Sequence, residues 1–102
     1  MSPVPSGSEP FALKVLSPKG LAYEGQILSL ILPTRSGRLG VLSHHAPLVA
    51  MLDLGEVQFR LRVGGHFKGL DITGGFAEVR DGVVTVVADD VLSTLHETDV
   101  DV

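Results

Sequence analysis

The feature that most constrains the fold of this chain is the alternation of apolar and polar residues in short segments. It is clearest over residues 56–63, where every second side chain is apolar: Val57, Phe59, Leu61 and Val63. A period of two residues is that of a β-strand with one face buried and the other solvated. Because 12 glycines and six prolines interrupt the chain, no segment before residue 89 sustains the longer period of a helix. The sequence therefore predicts an all-β protein.

Turn residues divide the other apolar stretches into further strands. Predicted strands cover residues 11–16, 21–24, 27–32, 41–42, 48–52, 56–63, 66–72, 76–80 and 83–88. Gly64-Gly65 and Asp81-Gly82 are each expected to form a two-residue hairpin turn, because glycine adopts the required backbone angles without strain. Residues 33–40 are expected to form a polar loop. The predicted fold is a flattened sandwich or barrel of about ten short, mostly antiparallel strands.

The chain is long enough for one domain, which we assign to residues 11–89. Residues 1–10 are rich in proline, serine and glycine and lack the features of a signal peptide, so we expect a flexible extension. Residues 90–102 are expected to form an acidic tail, with room for one short helical turn through Leu92 and Leu95.

Composition excludes several classes of function. A net charge of −4 and a pI near 5.4 argue against nucleic-acid binding, which needs a basic surface to displace counterions from phosphates. No apolar run approaches the roughly 20 residues that span a bilayer. The absence of cysteine excludes thiol catalysis, cysteine-ligated zinc and disulfides. We therefore expect no nucleic acid and no membrane insertion, and a cytoplasmic location by default.

Four histidines, His44, His45, His66 and His96, raise the question of a metal or catalytic site. Adjacent His44 and His45 would point to opposite faces of an extended strand, and none of the four has His-x-His or His-Glu-x-x-His spacing. No serine sits in a Gly-x-Ser-x-Gly elbow. The glycine pairs precede strands, whereas a phosphate site needs a following helix. We predict no catalytic, cofactor-binding or metal-ligating residue, and residue types alone leave the role undetermined.

A longer pattern resembles a known family. Its parts are Leu32-Pro33, then Ser36-Gly37-Arg38-Leu39-Gly40, then Val41-Leu42-Ser43-His44-His45-Ala46-Pro47-Leu48, and later Gly74-Gly75-Phe76-Ala77-Glu78-Val79-Arg80. In this order and at this separation, the motifs resemble the ε subunit of F-type ATP synthases. The resemblance covers roughly residues 11–90 without large gaps.

This resemblance implies a non-catalytic subunit of the central stalk, folded as a β-sandwich. Such a subunit docks onto the γ subunit and the c-ring and helps to couple ion translocation to ATP synthesis. It is peripheral on the cytoplasmic face of the membrane and needs no cofactor. Positions that match the family's γ contacts are Ala22, Tyr23, Ala46, Val49 and Phe76. Positions that match its c-ring loop are Ser36, Gly37, Arg38, Leu39 and His45.

The sequence departs from the family pattern in three places. It has no counterpart of the family's C-terminal helical hairpin, so we expect neither inhibition of ATP hydrolysis nor ATP binding. Ser43-His44 replaces the commoner Pro-Asn or Pro-Gly, and Arg38 stands where the family commonly has an acidic residue. Arg38 either faces an acidic residue of the ring, which we favour, or points away and leaves the contact to Ser36, Leu39 and His45. The alternative functions are a generic β-sandwich adaptor and a small β-sandwich enzyme.

Overall fold

The computed structural model describes residues 9–98, which form ten β-strands and no helix. The strands are β1 (Phe11–Ser17), β2 (Gly20–Ile27), β3 (Ser29–Thr34), β4 (Gly37–Val41), β5 (Leu48–Leu52), β6 (Gly55–Arg60), β7 (Phe67–Ile72), β8 (Gly75–Arg80), β9 (Val83–Ala88) and β10 (His96–Thr98). The all-β prediction with about ten strands is confirmed. Most of the expected N-terminal extension and the last four residues of the expected tail lie outside the described residues. None of the described segments is a helix long and apolar enough to cross a membrane.

All ten strands belong to one hydrogen-bonded sheet that folds over on itself. The order is β10-β7-β6-β3-β5-β8-β9-β1-β2, with β4 on the other side of β3. β3 and β5 share only the pair Thr34–Leu52, so the sheet turns a corner there. The first layer is β4, β3, β6, β7 and β10; the second is β5, β8, β9, β1 and β2. Among the described strands, β1 and β9 form the one parallel pair, so the sheet is mostly antiparallel, as predicted.

The two layers enclose one core of alternating strand residues. Leu13 and Val15 of β1 and Val84 and Val86 of β9 are fully buried, because the period of two sends each of them to the inner face. Burying a side chain of this size stabilises the fold by roughly 1.5–3 kcal/mol. The layers meet where the ring of Tyr23 in β2 lies 4.5 Å from that of Phe59 in β6, measured between centroids.

Two hairpin predictions have different outcomes. Asp81-Gly82 is confirmed as a two-residue turn, because φ is +51° at Asp81 and +75° at Gly82, as a type I′ turn requires. Gly64-Gly65 is not such a turn. The last pair of β6 and β7 is Arg60–Phe67, which leaves a six-residue loop, and Leu61 and Val63 are exposed in that loop instead of buried in a strand.

Two other segments also differ from their predictions. Residues 33–40 form a hairpin between β3 and β4 and not a loop, because the Thr34 hydroxyl donates to the carbonyl of Gly37 and accepts from the amide of Ser36. These bonds close the turn locally. The helical turn expected at Leu92 and Leu95 is absent from the described chain. There Val91 bridges Ile72 and β10 pairs with β7, since the open edge of β7 offers more hydrogen bonds than one isolated helical turn.

Candidate protein-docking surfaces

A row of apolar side chains crosses the outer face of the second layer. The register aligns Met51 with Phe76, Phe76 with Val87, Val87 with Leu16, and Leu16 with Leu21. We call these five residues, one from each strand of the layer, the apolar ridge. Met51, Phe76 and Leu21 are 52%, 42% and 55% exposed, and Val49 lies two residues from Met51 on the same face. A contiguous exposed apolar surface of this kind is typical of a protein-docking site.

A polar row runs beside the ridge. It consists of Glu78, Thr85, Lys14 and Glu24, one residue each from β8, β9, β1 and β2, and apolar Val49 lies beside Glu78 at its β5 end. Lys14 and Glu24 form a surface ion pair at 3.3 Å. An apolar centre bordered by polar residues is the usual arrangement of a protein–protein interface.

Of the five residues expected at the γ interface, the structure brings only Val49 and Phe76 together on this face. Ala22 is exposed beside a register shift in β2. Tyr23 is half-buried against Phe59, and burial raises the pKa of its phenol. Ala46 lies in the loop between β4 and β5. The four other members of the ridge were not predicted from the sequence, although the alternation within β5 already puts Val49 and Met51 on one face.

The residues expected at the c-ring divide between two places. Ser36, Gly37, Arg38 and Leu39 lie together on the β3–β4 hairpin. His45 follows the opposite end of β4. The two ends of β4 are four residue steps apart, which is roughly 13 Å in an extended strand. The side chain of His45 is turned locally, since its Nδ1 lies 2.7 Å from the carbonyl oxygen of Ala46. Of the residues expected at the c-ring, only those on the hairpin therefore form one continuous surface.

A groove of about 620 Å³ joins this hairpin to the ridge. One wall is formed by residues 34–39 of the hairpin and the other by Val49, Ala50 and Met51 of β5. Arg35 is exposed at the hairpin tip. The two surfaces expected to meet different partners are thus neighbours.

Arg38 is bound within the molecule. Its Nη2 donates to Oε1 of Gln58 at 2.6 Å, and Nε2 of Gln58 donates to Oε1 of Glu56 at 2.8 Å. Gln58 is 7% exposed, so its amide needs these partners. On the predicted polar face of β6, the side chain of Gln58 is therefore covered by Arg38 and Glu56. The guanidinium of Arg38 is turned towards the sheet.

Glu56, Asp71 and His96 have ligand atoms within 4.8 Å of one another, and two of these side chains, Glu56 and His96, already hold hydrogen-bond partners. The Nε2 of His96 lies 2.6 Å from Oε2 of Glu56, and its Nδ1 lies 3.0 Å from the carbonyl oxygen of Thr94. The other oxygen of Glu56 accepts from Thr98 and Gln58. These contacts make Glu56 and His96 a hydrogen-bonded pair, and the absence of a metal-ligating residue stays a prediction.

The chain is similar in sequence to a known protein family and to several of its members. Residues 10–94 match the profile of a family described as "ATP synthase, Delta/Epsilon chain, beta-sandwich domain". An ATP synthase epsilon chain of Leptospira borgpetersenii is 39% identical over 77 residues, which cover 76% of this chain and 59% of the relative. A chloroplastic ATP synthase epsilon chain of Cyanidioschyzon merolae is 36% identical over 87 residues, 85% of this chain and 64% of the relative.

Solved structures agree with these relatives. A chain of the Euglena gracilis mitochondrial ATP synthase, determined with its OSCP, F1 and c-ring parts, superposes with a TM-score of 0.74 at 25% identity and covers 89% of this chain and 56% of that one. A chain of the Tetrahymena thermophila mitochondrial ATP synthase central stalk and c-ring superposes with a TM-score of 0.66 at 16% identity, over 83% and 67% of the two chains, and supports the fold alone. The chain spans less than two thirds of the length of both curated relatives.

Proposed function

The chain belongs to the ATP synthase delta/epsilon β-sandwich family, and from this premise we propose that it is a non-catalytic part of the central rotor. Residues 11–89 are its epsilon-type sandwich domain, and β10 adds the last strand to the same sheet. In this role it docks onto the γ subunit and the c-ring and helps to transmit torque between ion flow and ATP synthesis. It lies peripherally on the cytoplasmic side of the membrane. A densely packed two-layer sheet suits this task, because close packing resists deformation.

The apolar ridge is the observation that carries the γ assignment. Phe76 stands at its second position, 42% exposed between Met51 and Val87. Large apolar side chains at the centre of an interface contribute most of the binding energy. The polar row, with its Lys14–Glu24 pair, then forms the solvated rim. We propose that γ covers the ridge and contacts Val49 and Phe76, the two resemblance-based γ positions that lie on this face.

The test is calorimetric titration of the γ subunit with the full chain and its Phe76→Ala variant. Loss of a central aromatic should cost roughly 1–3 kcal/mol of binding free energy, or about 5- to 150-fold in Kd. Val63→Ala is a matched control, because Val63 is also exposed, at 66%, but lies in the loop between β6 and β7. Unchanged γ affinity in a folded Phe76→Ala variant would refute the assignment.

We propose that the tip of the β3–β4 hairpin contacts the c-ring. Arg35 and Arg38 are both exposed, but the guanidinium of Arg38 is already held by Gln58, so Arg35 at the tip is the better candidate to meet an acidic residue of the ring. Charge reversal in Arg35→Glu should weaken ring docking more than reversal in Arg38→Glu. The difference should shrink at high salt, because exposed charges are screened over about 10 Å at 0.1 M. Docking that is equal in both variants at low salt would contradict the electrostatic assignment.

We also propose that the chain binds no ATP. Calorimetric titration with ATP and Mg²⁺ should give no heat, and the melting temperature should not move, since a ligand that binds the native state must stabilise it. A micromolar Kd would contradict this proposal and would make the glycine-rich turns candidates for the ATP site.

A further inference from the structure

The segment 91–98, which we call the strap, closes the outer edge of β7. Val91 bridges Ile72, the amide of Leu92 donates to the carbonyl of Asp71 at 2.8 Å, and the amide of Asp71 donates to the hydroxyl of Ser93 at 3.0 Å. The strap then ends in the three residue pairs between β10 and β7. Such a short strand adds few backbone hydrogen bonds, so its attachment depends strongly on its side-chain contacts.

The carboxylate of Glu56 supplies those contacts across the outer face of β7. It reaches His96 at 2.6 Å and Thr98 at 2.7 Å, although β7 lies between β6 and β10. Gly69 makes the passage possible, because a Cβ on this residue would lie 2.5 Å from Oε2 of Glu56. One carboxylate thus holds both ends of β10.

The two partners of the His96 ring determine its protonation state. Its Nδ1 faces the carbonyl oxygen of Thr94 and its Nε2 faces a carboxylate oxygen of Glu56, and both partners are acceptors. A neutral imidazole carries a single N–H and can donate to only one of them, whereas the imidazolium can donate to both. The strap as seen in this structure therefore requires a doubly protonated His96.

The charged groups around the ring favour the same state. Asp71 on β7 adds a second carboxylate near His96. Lys68 on β7 is paired at 3.4 Å with Glu97 on β10, so its charge is balanced locally. Arg38 on β4 reaches Glu56 only through Gln58. No other cation among the described residues competes for the Glu56 oxygen that His96 holds.

We propose that the strap is a proton-dependent closure of the β7 edge, shut while His96 carries two ring protons and loosened when it loses one. On deprotonation one of the two ring hydrogen bonds must break and the charge pair with Glu56 disappears. If Nδ1 keeps its proton, the lone pair of Nε2 faces the carboxylate and repels it. Release of β10 leaves the backbone groups of β7 unpaired at a sheet edge, the usual place for another strand to pair.

The direction of the pH effect follows from the contacts. Hydrogen bonds to Thr94 and then to Glu56, with the charges of Glu56 and Asp71, raise the pKa of His96 against the opposing effect of desolvation. A raised native pKa means that the contribution to closure is complete below the ordinary value of about 6.5 and is lost as pH rises through the native value. The strap should therefore loosen on the alkaline side.

The experiment is amide hydrogen exchange by NMR on the full chain, with rates normalised to the unstructured rate at each pH. Protection of the amides of β10 should fall at least fivefold as the His96 ring titrates, while protection of β9 stays constant. His96→Gln should abolish this pH dependence. His44→Gln is the matched control, because His44 also contacts a carboxylate, Glu9 at 2.8 Å, but lies outside the strap.

A second variant, Glu56→Gln, leaves the His96 ring in place and covers the case in which His96→Gln disturbs the fold. In Glu56→Gln the titration midpoint of the His96 ring, followed by its own resonances, should move to lower pH, because the carboxylate that stabilises the imidazolium is gone. Constant β10 protection through the titration of His96 in the unmodified chain would overturn the proposal. So would the same pH dependence in His96→Gln, or an unshifted midpoint in Glu56→Gln.

Discussion

The outer faces of the two layers differ in how their side chains are accommodated. On the second layer, Met51, Phe76 and Leu21 are large, apolar and exposed. On the first layer, polar side chains are covered by one another, so that Gln58 is buried between Arg38 and Glu56. Polar groups can satisfy each other within one molecule, whereas an apolar ridge is removed from water only by another surface. The first face is thus complete in the isolated domain, and the second one calls for a partner.

The largest expected effect tests whether the ridge is truly an outer surface. Phe59→Ala removes a fully buried ring and should lower the free energy of unfolding by roughly 3–5 kcal/mol. Phe76→Ala removes an exposed ring from the same fold and should change it by less than about 0.5 kcal/mol. Urea denaturation of both variants gives the comparison. A similar loss in both would mean that Phe76 is a core residue and that the ridge is not free for docking.

Tyr23 should behave like the core and not like the ridge. Its ring packs on Phe59 at the contact between the layers, so Tyr23→Ala should cost roughly 1.5–3 kcal/mol of unfolding free energy, less than a fully buried aromatic. Tyr23→Phe keeps the ring and should be nearly neutral. If Tyr23→Ala instead left stability unchanged and weakened only γ binding, the resemblance-based placement of Tyr23 at the interface would be right.

The parts of the fold that were predictable are those where the period of two and the turn chemistry agree. β5 and β9 have the predicted bounds, and Asp81-Gly82 forms the predicted turn. The predicted hairpin turn at Gly64-Gly65 was wrong because the strand pattern of residues 56–63 continues into residues that leave the sheet. Apolar Leu61 and Val63 look like strand positions but are exposed, and only tertiary pairing decides where a strand ends.

The site was less predictable than the fold for a similar reason. Periodicity shows which residues share a face of one strand, but the ridge depends on the register between five strands, and the parallel pairing of β1 with β9 links residues far apart in sequence. The Arg38–Gln58–Glu56 connection likewise joins β4 to β6 and left no signal in the spacing. The need for glycine at residue 69 also follows from a tertiary contact, the path of the Glu56 carboxylate, which the sequence does not indicate.

On the first layer, Gly69→Ala should break the polar face without touching the core. The new methyl group would collide with the Glu56 carboxylate and displace it from His96 and Thr98, and loss of such partly buried hydrogen bonds costs about 0.5–1.5 kcal/mol. Gly40→Ala is the matched control, because Gly40 also lies in a strand and its added Cβ would meet nothing within 4 Å. Equal unfolding free energies for the two variants, measured in urea, would show that the Glu56 contacts contribute nothing to stability.

The smallest effect is expected at acidic pH and concerns Glu56 on the same polar face. Burial tends to raise the pKa of Glu56, but hydrogen bonds from Thr98, His96 and Gln58 and the charge of His96 outweigh it, so the pKa is lowered. A lowered native pKa means that the stabilisation is present above the ordinary value of about 4.3 and is lost as pH falls through the native value. The difference in unfolding free energy between the unmodified chain and Glu56→Gln should therefore shrink as the solution is acidified. Its full size should stay below about 1 kcal/mol, because the pair is partly exposed and screened.

Urea midpoints across a pH series would measure that difference. Glu78→Gln is the matched control, since Glu78 is an exposed carboxylate in the polar row of the other layer and lies outside the strap. A Glu56→Gln difference that does not change with pH would mean that the carboxylate's charge is not what holds β10. Backbone pairing with β7 alone would then hold β10 in place. The difference between the two outer faces would then depend only on the burial of Gln58.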